Sequence, residues 1–221
     1  MFHHTTHFLL AAALLLATFL PAETHAQEQM LRPVVVLVSL EDQLLHPITQ
    51  RFLTRSLRQA AERGASCVII QLDTAGGLLR STQHIVRAIL TSDVPVVVYI
   101  APSKARATSM GIFIPLAAHV AAMAPDTTIG AAHPVSPIAR RAAPDNQDGN
   151  EPSTDLFAEK VTNDVVAWAR ALAHHRHRNI DWAATAVQDG IAASDSEARL
   201  KNVIDLQASD LNDLLRQLNN K

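Results

Sequence analysis

The sequence contains very little cysteine, few aromatic residues and no excess of basic charge. Its single cysteine, Cys67, cannot form an intramolecular disulfide, and in the apolar run SCVIIQL we expect a buried structural thiol. Aromatic residues make up 4% of the chain, so there is no platform on which nucleic-acid bases could stack. The formal net charge is −2, and no basic stripe is available to neutralise phosphates. The composition therefore argues against nucleic acid as a partner.

The first 26 residues contain no lysine or arginine, but they include an uncharged apolar run at 8–20. The run has the length of a secretory h-region, and small residues precede Gln27, which predicts cleavage after Ala26 and export to the periplasm. The alternative is an uncleaved N-terminal anchor that keeps the protein membrane-associated, although the run is short for a full span. We therefore expect a signal peptide or an anchor at 1–26.

Apolar residues make up 48% of the chain, enough to bury one substantial core, and we expect a single domain at 31–221. Short apolar runs rich in β-branched residues alternate with segments of helical spacing. Strands are predicted at 34–40, 66–73, 94–100 and 119–124, and helices at 46–63, 76–92 and 107–118. This alternation indicates an α/β fold with a mostly parallel sheet and flanking helices.

The second half of the chain begins with a segment that breaks every periodic pattern. Residues 134–155 are rich in Pro, Asn, Asp and Gly, and we expect a mobile loop there, either a lid or a disordered insertion. Beyond it we predict helices at 156–177, 180–189 and 210–218 and a brief strand at 203–206. Asn179 is expected to cap the second of these helices, and Ser194 is expected to form a capping box with Glu197.

Two glycines follow the second predicted strand in the segment LDTAGG. Gly76 and Gly77 allow the backbone to approach a ligand and to direct N–H groups at an anion, helped by the dipole of the following helix. The other interpretation is a tight turn that binds nothing. The segment alone does not decide between them.

Ser109 lies in KARATSMGIFI, after the third predicted strand and in the first turn of the next predicted helix. A serine in this place can expose its hydroxyl as a nucleophile while the N–H of Met110 donates to a developing oxyanion. Alternatively, Ser109 and its neighbours Thr108 and Gly111 are small because the helix packs closely on the sheet. Both interpretations stay open at this point.

Lys160, early in the helix predicted at 156–177, borders an apolar stripe. A lysine that is partly withdrawn from water can act as a general base, whereas the alternative is a surface lysine paired with Asp164 at i+4. The nearby His174, His175 and His177 raise the question of a metal site. Their spacing is poor ligand geometry and favours a solvated helix end, so we predict no metal.

The chain resembles the protease domain of the NfeD family. Members of this family are membrane-associated serine proteases encoded beside stomatin-like proteins. The family's runs are close to LDTPGG, P-x-x-A-x-A-A-S-A-G-T, AAH-x-AAMAP and IGAAHPV. This sequence has LDTAGG, PSKARATSMGI, AAHVAAMAP and IGAAHPV in the same order, and the similarity extends over about 33–215. The resemblance implies a Clp-protease/crotonase-like α/β fold, with no cofactor.

The resemblance also implies a Ser-Lys dyad. The family's nucleophile falls on Ser109 and its general base on Lys160. The backbone N–H groups of Gly76, Gly77 and Met110 match the positions of the oxyanion hole. In such a mechanism neutral Lys160 takes the hydroxyl proton while Ser109 attacks a peptide carbonyl.

His133, in the segment GAAHPV, is the alternative base. Clp-type proteases use a Ser-His-Asp triad in which the histidine follows a strand downstream of the serine, and His133 occupies a comparable place. The other interpretation is a histidine that anchors the loop in front of Pro134.

The sequence departs from the family pattern beside the expected nucleophile. Met110 and Ile112 replace a small residue and a threonine, Ala75 replaces a proline, and Lys104 replaces a glycine. The first two add bulk next to Ser109, which could alter substrate access or activity.

Two functions are consistent with these residues. The first is an exported serine endopeptidase acting on a peptide or protein with apolar segments, such as a stomatin-like membrane protein. The second is a non-catalytic binding or scaffold protein of the same fold, in which Met110 blocks the pocket.

By analogy with relatives we expect a homo-oligomer. Because the sequence ends at Lys221 without the apolar spans and β-barrel domain of long family members, we expect a short, exported form.

Overall fold

The computed structural model describes residues 33–132 and 152–219, and in the second range it describes side chains from residue 159 onward. The strands form two sheets. The strands are β1 (Val35–Leu40), β2 (Cys67–Leu72), β3 (Val96–Ile100), β4 (Arg106–Thr108), β5 (Val120–Met123), β6 (Thr128–Gly130), β7 (Ala192–Ser194) and β8 (Leu206–Gln207). Strands β1, β2, β3, β5 and β8 form a sheet in that order, and all are parallel, as the predicted mostly parallel sheet requires. Strands β4, β6 and β7 form a small sheet, in which β7 runs antiparallel to β6.

Helices cover the larger sheet, and their ends are capped much as the sequence predicts. They are α1 (Pro47–Glu62), α2 (Leu79–Leu90), α3 (Phe113–Ala117), α4 (Pro152–His175), α5 (Ile180–Gln188), α6 (Asp195–Leu200) and α7 (Leu211–Leu218), with a 3-10 helix at Ser109–Ile112. Asn179 caps α5 by accepting from the Trp182 N–H, and Ser194 and Glu197 form the predicted capping box. Within the described ranges, none of the helices has the length and apolar character that a membrane span requires.

Alternate side chains of the central strands face two separate apolar clusters. Ile70 of β2 belongs to the larger cluster, which includes the buried residues of α1 to α5, whereas Ile69 belongs to a smaller one beneath α7. In the larger cluster the rings of Phe113 and Trp168 stack with centroids 4.1 Å apart. Both faces of the sheet are therefore covered, which explains why its strands read as continuous apolar runs.

Several predicted boundaries were wrong. The helix predicted at 107–118 begins only at Ser109. Residues 107 and 108 belong to β4 instead, because they pair with β6, and this tertiary contact outweighs their helical spacing in the sequence. The strand predicted at 203–206 lies at Leu206–Gln207, and α4 begins at Pro152, inside the loop expected at 134–155. Residues 1–32 and 133–151, and with them the predicted leader and most of that loop, lie outside the described residues.

A buried arginine closes the C-terminal end of α3. The guanidinium of Arg178 donates to the backbone oxygens of Pro115 (3.0 Å), Leu116 (2.9 Å) and Ala118 (3.1 Å). The same group pairs with the Asp205 carboxylate at 2.5 Å, and the Arg178 side chain is 1% exposed. Pro115 O also accepts from the Ala118 N–H at 3.2 Å. The last carbonyls of a helix lack the donors of a following turn, so Arg178 supplies hydrogen bonds that burial would otherwise remove.

A second arginine and a histidine extend this network. Arg176 Nε donates to Ala117 O (2.8 Å), and His119 Nδ1 accepts from the Val96 N–H (3.1 Å). Burial, followed by the positive charge of Arg176 and Arg178, lowers the pKa of His119. His119 therefore favours the neutral form that can accept this backbone hydrogen bond.

We expect Arg178→Met to lower the free energy of unfolding by about 3 kcal/mol or more, because it removes donors from buried carbonyls and leaves the Asp205 carboxylate without its positive partner. Urea unfolding followed by circular dichroism measures the change. The matched control is Arg170→Met, since Arg170 approaches Asp181 at 4.0 Å with both side chains exposed. Its cost should stay below about 1 kcal/mol. Equal losses in the two variants would contradict this role for Arg178.

Candidate active site

The two predicted site segments meet just beyond the end of β2. Thr74 forms an isolated parallel bridge with Ala107 of β4. The Thr74 N–H donates to Arg106 O (2.7 Å), and the Thr108 N–H donates to Thr74 O (3.2 Å). Because β4 ends at Thr108, this pairing carries Ser109 to the glycine turn that follows Thr74.

The Thr74 side chain is fully buried and holds the glycine turn in place. Its hydroxyl donates to Gln43 O (2.5 Å) and accepts from the Gly76 N–H (3.0 Å). On the other side of the turn, the Leu45 N–H donates to Gly76 O and the Leu78 N–H donates to Leu45 O, both at 2.8 Å. The turn is therefore fixed from both sides before any ligand is present.

Ser109 begins the 3-10 helix in a left-handed backbone conformation, with φ +53°. A serine at positive φ is uncommon, and such strain of roughly 1–3 kcal/mol concentrates at functional sites. The Ser109 N–H donates to Ala131 O (3.2 Å), and the residue is half-buried. In the part of the chain that the structure describes, no group is hydrogen-bonded to the Ser109 hydroxyl. The hydroxyl is thus available for chemistry.

Gly76 touches Ser109 so closely that no side chain would fit between them. A Cβ added to Gly76 would lie 2.7 Å from Ser109 Cβ and 3.0 Å from Met110 N, and the φ of Gly76 is +100°. Similarly, a Cβ on Gly111 would lie 2.7 Å from Thr74 Cγ2. Glycine at position 76 is therefore required both by its backbone angle and by the approach of Ser109.

The three predicted oxyanion donors are not equivalent. The Gly76 N–H already donates to the Thr74 hydroxyl, so it supports the turn. Across residues 33–132 and 152–219, no hydrogen-bond acceptor is found for the N–H groups of Gly77 and Met110. These two N–H groups, one from the turn and one from the 3-10 helix, are the available donors.

The bulky residues beside Ser109 point into the core. Met110 is 6% exposed and Ile112 is fully buried, and both belong to the larger apolar cluster. Both side chains are therefore packed into the core rather than exposed to solvent.

Lys160 is exposed on α4, so the prediction that the apolar stripe partly withdraws it from water was wrong. The stripe itself forms, since its described members pack against the larger cluster: Val161, Val165, Trp168 and Leu172. Among the described residues Lys160 forms no ion pair, including the alternative pair with Asp164, and no hydrogen bond joins it to Ser109. The first turns of α4 place Lys160 at the border of the stripe, but its long side chain extends to solvent.

His133, the alternative base, lies outside the described residues. The exposed His174, His175 and His177 lie at the end of α4 and in the turn after it. No cluster of three His, Cys, Asp or Glu side chains suited to a metal ion occurs within the described ranges.

Sequence reasoning did not find the role of Thr74 or the apolar surface beside the turn. A threonine just before a glycine pair is a typical turn-forming residue, and this signal could have indicated Thr74. Leu44 and Leu78 are each 57% exposed, and both adjoin the Leu45 backbone that holds the turn. They place apolar surface next to the glycine turn.

Comparison with known proteins agrees with this arrangement. The family model described as NfeD1b, N-terminal domain, matches residues 34–220. The chain belongs to this NfeD1b family. The resemblance inferred from the sequence motifs is thereby confirmed.

Two NfeD1b relatives are much longer than the part that matches. The membrane-bound protease PH1510 of Pyrococcus horikoshii is 34% identical over 165 residues, which cover 75% of this chain and 35% of that protein. The membrane protein NfeD1b of Bacillus subtilis is 38% identical over 81 residues, or 37% of this chain and 18% of that protein. The chain thus spans about a third or less of these relatives.

Solved structures of the protease domain called 1510-N, a membrane-bound stomatin-specific protease, have the same fold. A serine-to-alanine variant has a TM-score of 0.72 and 30% identity, with 84% of each chain covered. A lysine-to-alanine variant in complex with a substrate peptide has a TM-score of 0.71 and 30% identity, with 83% of this chain and 79% of that chain covered. The predicted Clp-protease/crotonase-like α/β fold is confirmed.

Gly76→Ala tests the close approach of the glycine turn to Ser109. We expect it to destabilise the protein by about 2 kcal/mol or more, because the methyl group adds a steric clash to the backbone strain. The matched control is Gly64→Ala, where φ is +65° but no atom lies within 4 Å of an added Cβ. That variant should cost only the backbone term of about 1 kcal/mol. Urea denaturation compares them, and a control as unstable as Gly76→Ala would contradict the contact.

Proposed function

We propose that this chain is a serine endopeptidase in which Ser109 is the nucleophile. The observation that carries the proposal is the strained Ser109, held against the glycine turn beside the N–H groups of Gly77 and Met110, for which the described residues offer no acceptor. Nucleophile and oxyanion donors must converge on one carbonyl for acyl transfer, and segments 33 residues apart in sequence converge here. The relatives named as proteases support the same reaction.

In the proposed reaction the Ser109 hydroxyl attacks a peptide carbonyl while Lys160 accepts the proton. The oxygen of the tetrahedral intermediate is held by the Gly77 and Met110 N–H groups, each such donor being typically worth about 2.7–4 kcal/mol of barrier. Lys160 then returns the proton to the leaving amine, and water releases the acyl group by the reverse sequence. The existence of a lysine-to-alanine variant of 1510-N with a bound substrate peptide supports a lysine in this role.

Lys160 must approach Ser109 when substrate binds, because its side chain is exposed in the free protein. Catalytic hydrogen bonds are often absent without substrate and form only in the complex. A bound apolar peptide would also remove water from the amine and favour its neutral, proton-accepting form. The activity of Lys160→Ala, rather than the distance between Lys160 and Ser109 in the free protein, therefore tests this role.

We propose apolar segments of a stomatin-like membrane protein as the substrate. The exposed Leu44 and Leu78 beside the glycine turn offer an apolar surface to such a peptide, and 1510-N is named as stomatin-specific. The charge-free run at 8–20 supports export to the periplasm, either with cleavage after Ala26 or with retention at the membrane. The relatives are named as membrane-bound or membrane proteins, which fits the same location.

The alternative function, a non-catalytic binding or scaffold protein, required Met110 to block the pocket. Met110 belongs to the larger apolar cluster, which supports a place in the core rather than in the pocket. The described residues therefore favour the peptidase over the scaffold.

Purified full-length protein should cleave a quenched fluorescent peptide derived from an apolar segment. We expect Ser109→Ala and Lys160→Ala each to lower kcat/KM by at least about a thousandfold, because members of a catalytic unit are individually essential. Matched controls are Ser103→Ala and Lys201→Ala, which alter exposed residues outside the proposed machinery and should leave kcat/KM within about twofold of wild type.

Equal turnover by wild type and Ser109→Ala would exclude Ser109 as the nucleophile. Activity retained in Lys160→Ala but lost in His133→Ala would assign the base to His133 instead.

A further inference from the structure

The outward sides of α1 and α2 form a basic face, although the chain as a whole has a formal net charge of −2. Both helices bury side chains in the larger apolar cluster, and residues of both line one cleft, so they lie side by side on the same face of the larger sheet. Segments 47–63 and 79–90 contain six of the chain's 19 lysine and arginine residues but only one acidic residue, Glu62. All six are exposed: Arg51, Arg55, Arg58, Arg63, Arg80 and Arg87.

Only the packing of the two helices collects these arginines, since in the sequence they form no basic stripe. In the described part of the chain one of them, Arg58, is in an ion pair, with Glu62 at 3.6 Å. The other five guanidinium groups have neither an ion pair nor a hydrogen bond to any described residue. Unpaired positive charge concentrated on one side of a chain attracts an extended anionic surface.

Apolar side chains are exposed on the same face, in the first turns of α1. Ile48 is 65% and Phe52 is 48% exposed, and they lie one helical turn apart. Arg51 and Arg55, three residues after each of them, belong to the same exposed stripe of the helix. Surface helices that lie in the plane of a membrane interface combine exposed apolar and aromatic side chains with arginine or lysine in this way.

We propose that the basic face of α1 and α2 docks on an anionic phospholipid surface. In the docked state Ile48 and Phe52 enter the boundary between headgroups and acyl chains, and the guanidinium groups lie at the level of the phosphates. A headgroup layer presents phosphates over its whole area, which matches arginines spread over two helices. Long arginine side chains can reach the phosphates while their apolar stems lie along the helix surface.

Docking through this face brings the glycine turn close to the membrane. Leu44 lies shortly before α1 and Leu78 directly precedes α2, and both adjoin the Leu45 backbone that holds the turn. An apolar segment that leaves the bilayer would therefore meet Leu44 and Leu78 first. This last step rests on the proposed peptidase function, whereas lipid binding itself does not.

Co-sedimentation of the full-length protein with vesicles tests the proposal. We expect stronger binding to vesicles of equal parts phosphatidylcholine and phosphatidylglycerol than to vesicles of phosphatidylcholine alone. The first 26 residues contain no lysine or arginine, so their apolar run cannot produce this preference. Raising the ionic strength from about 0.1 M to about 1 M shortens the Debye length from about 10 Å to about 3 Å and should remove the preference.

Removing two charges separates this face from the rest of the chain. Arg51→Gln combined with Arg55→Gln should weaken binding to the mixed vesicles about tenfold or more, since each basic residue near an anionic surface strengthens binding severalfold. The matched control is Arg199→Gln combined with Arg216→Gln, which removes the same charge from exposed residues of α6 and α7. It should stay within about twofold of wild type, because charges farther from the lipid than a Debye length are screened.

Phe52→Trp tests whether the apolar side chains enter the lipid. Its fluorescence should shift to shorter wavelength on the mixed vesicles and be quenched by lipids that carry bromine in their acyl chains. Leu200→Trp, at a position on α6 that is 87% exposed, is the control and should show neither change. Trp168 and Trp182 are present in both variants, so the difference between them reports on the introduced residue.

Neither measurement involves peptide cleavage, and Ser109→Ala should bind vesicles as the wild type does. A preference for the mixed vesicles that is lost with the α1 charges, together with quenching at position 52, would support the proposal. Three results would overturn it: equal binding of the wild type to both kinds of vesicle, a loss no larger in the α1 variant than in its control, or equal quenching at the two tryptophan positions. Each of these would instead favour an acidic protein as the partner of the basic face.

Discussion

The position of the candidate nucleophile depends on a buried guanidinium at the far end of its helix. The 3-10 turn that starts at Ser109 continues into α3, and together they form a helix too short to be stable alone. Its last carbonyls end in the core, where Arg178 donates to them and is itself neutralised by Asp205. Asp205 also accepts from the Ala121 N–H and so ties the helix end to β5. Anchoring one end of such a short helix fixes the other.

At the opposite end, pairing on two sides holds Ser109 in an unfavourable backbone conformation. Thr108 is bonded to Thr74 before it, and the Ser109 N–H is bonded to Ala131 after β6. These contacts leave no room to relax the positive φ, since Gly76 touches Ser109 directly. The strain is thus maintained by the neighbouring backbone.

The central sheet could be predicted because its strands are buried on both faces and therefore carry an unmistakable apolar run. The three-residue strands β4, β6 and β7 carry no such pattern, and their pairing depends on contacts distant in sequence. For the same reason the importance of Thr74 and the clash at Gly76 could not be read from LDTAGG alone. Lys160 lies at the border of the apolar stripe as expected, but its exposure was not predictable, because a stripe of apolar residues defines where a helix packs and not how a long side chain at its border extends.

Met110 and Ile112 are both packed into the core beside the serine. In a 3-10 helix successive side chains point in directions about a third of a turn apart, so Met110 leaves the helix in a different direction from Ser109, whereas Ile112, three residues further on, lies on the same side as Ser109. The proposed general base, Lys160, is exposed to solvent on α4 and must still approach Ser109. In the proposed reaction, the bound substrate displaces the water around it. An apolar segment lying across Leu44 and Leu78 would exclude solvent from the hydroxyl and the oxyanion donors, and a polar peptide of the same length would not.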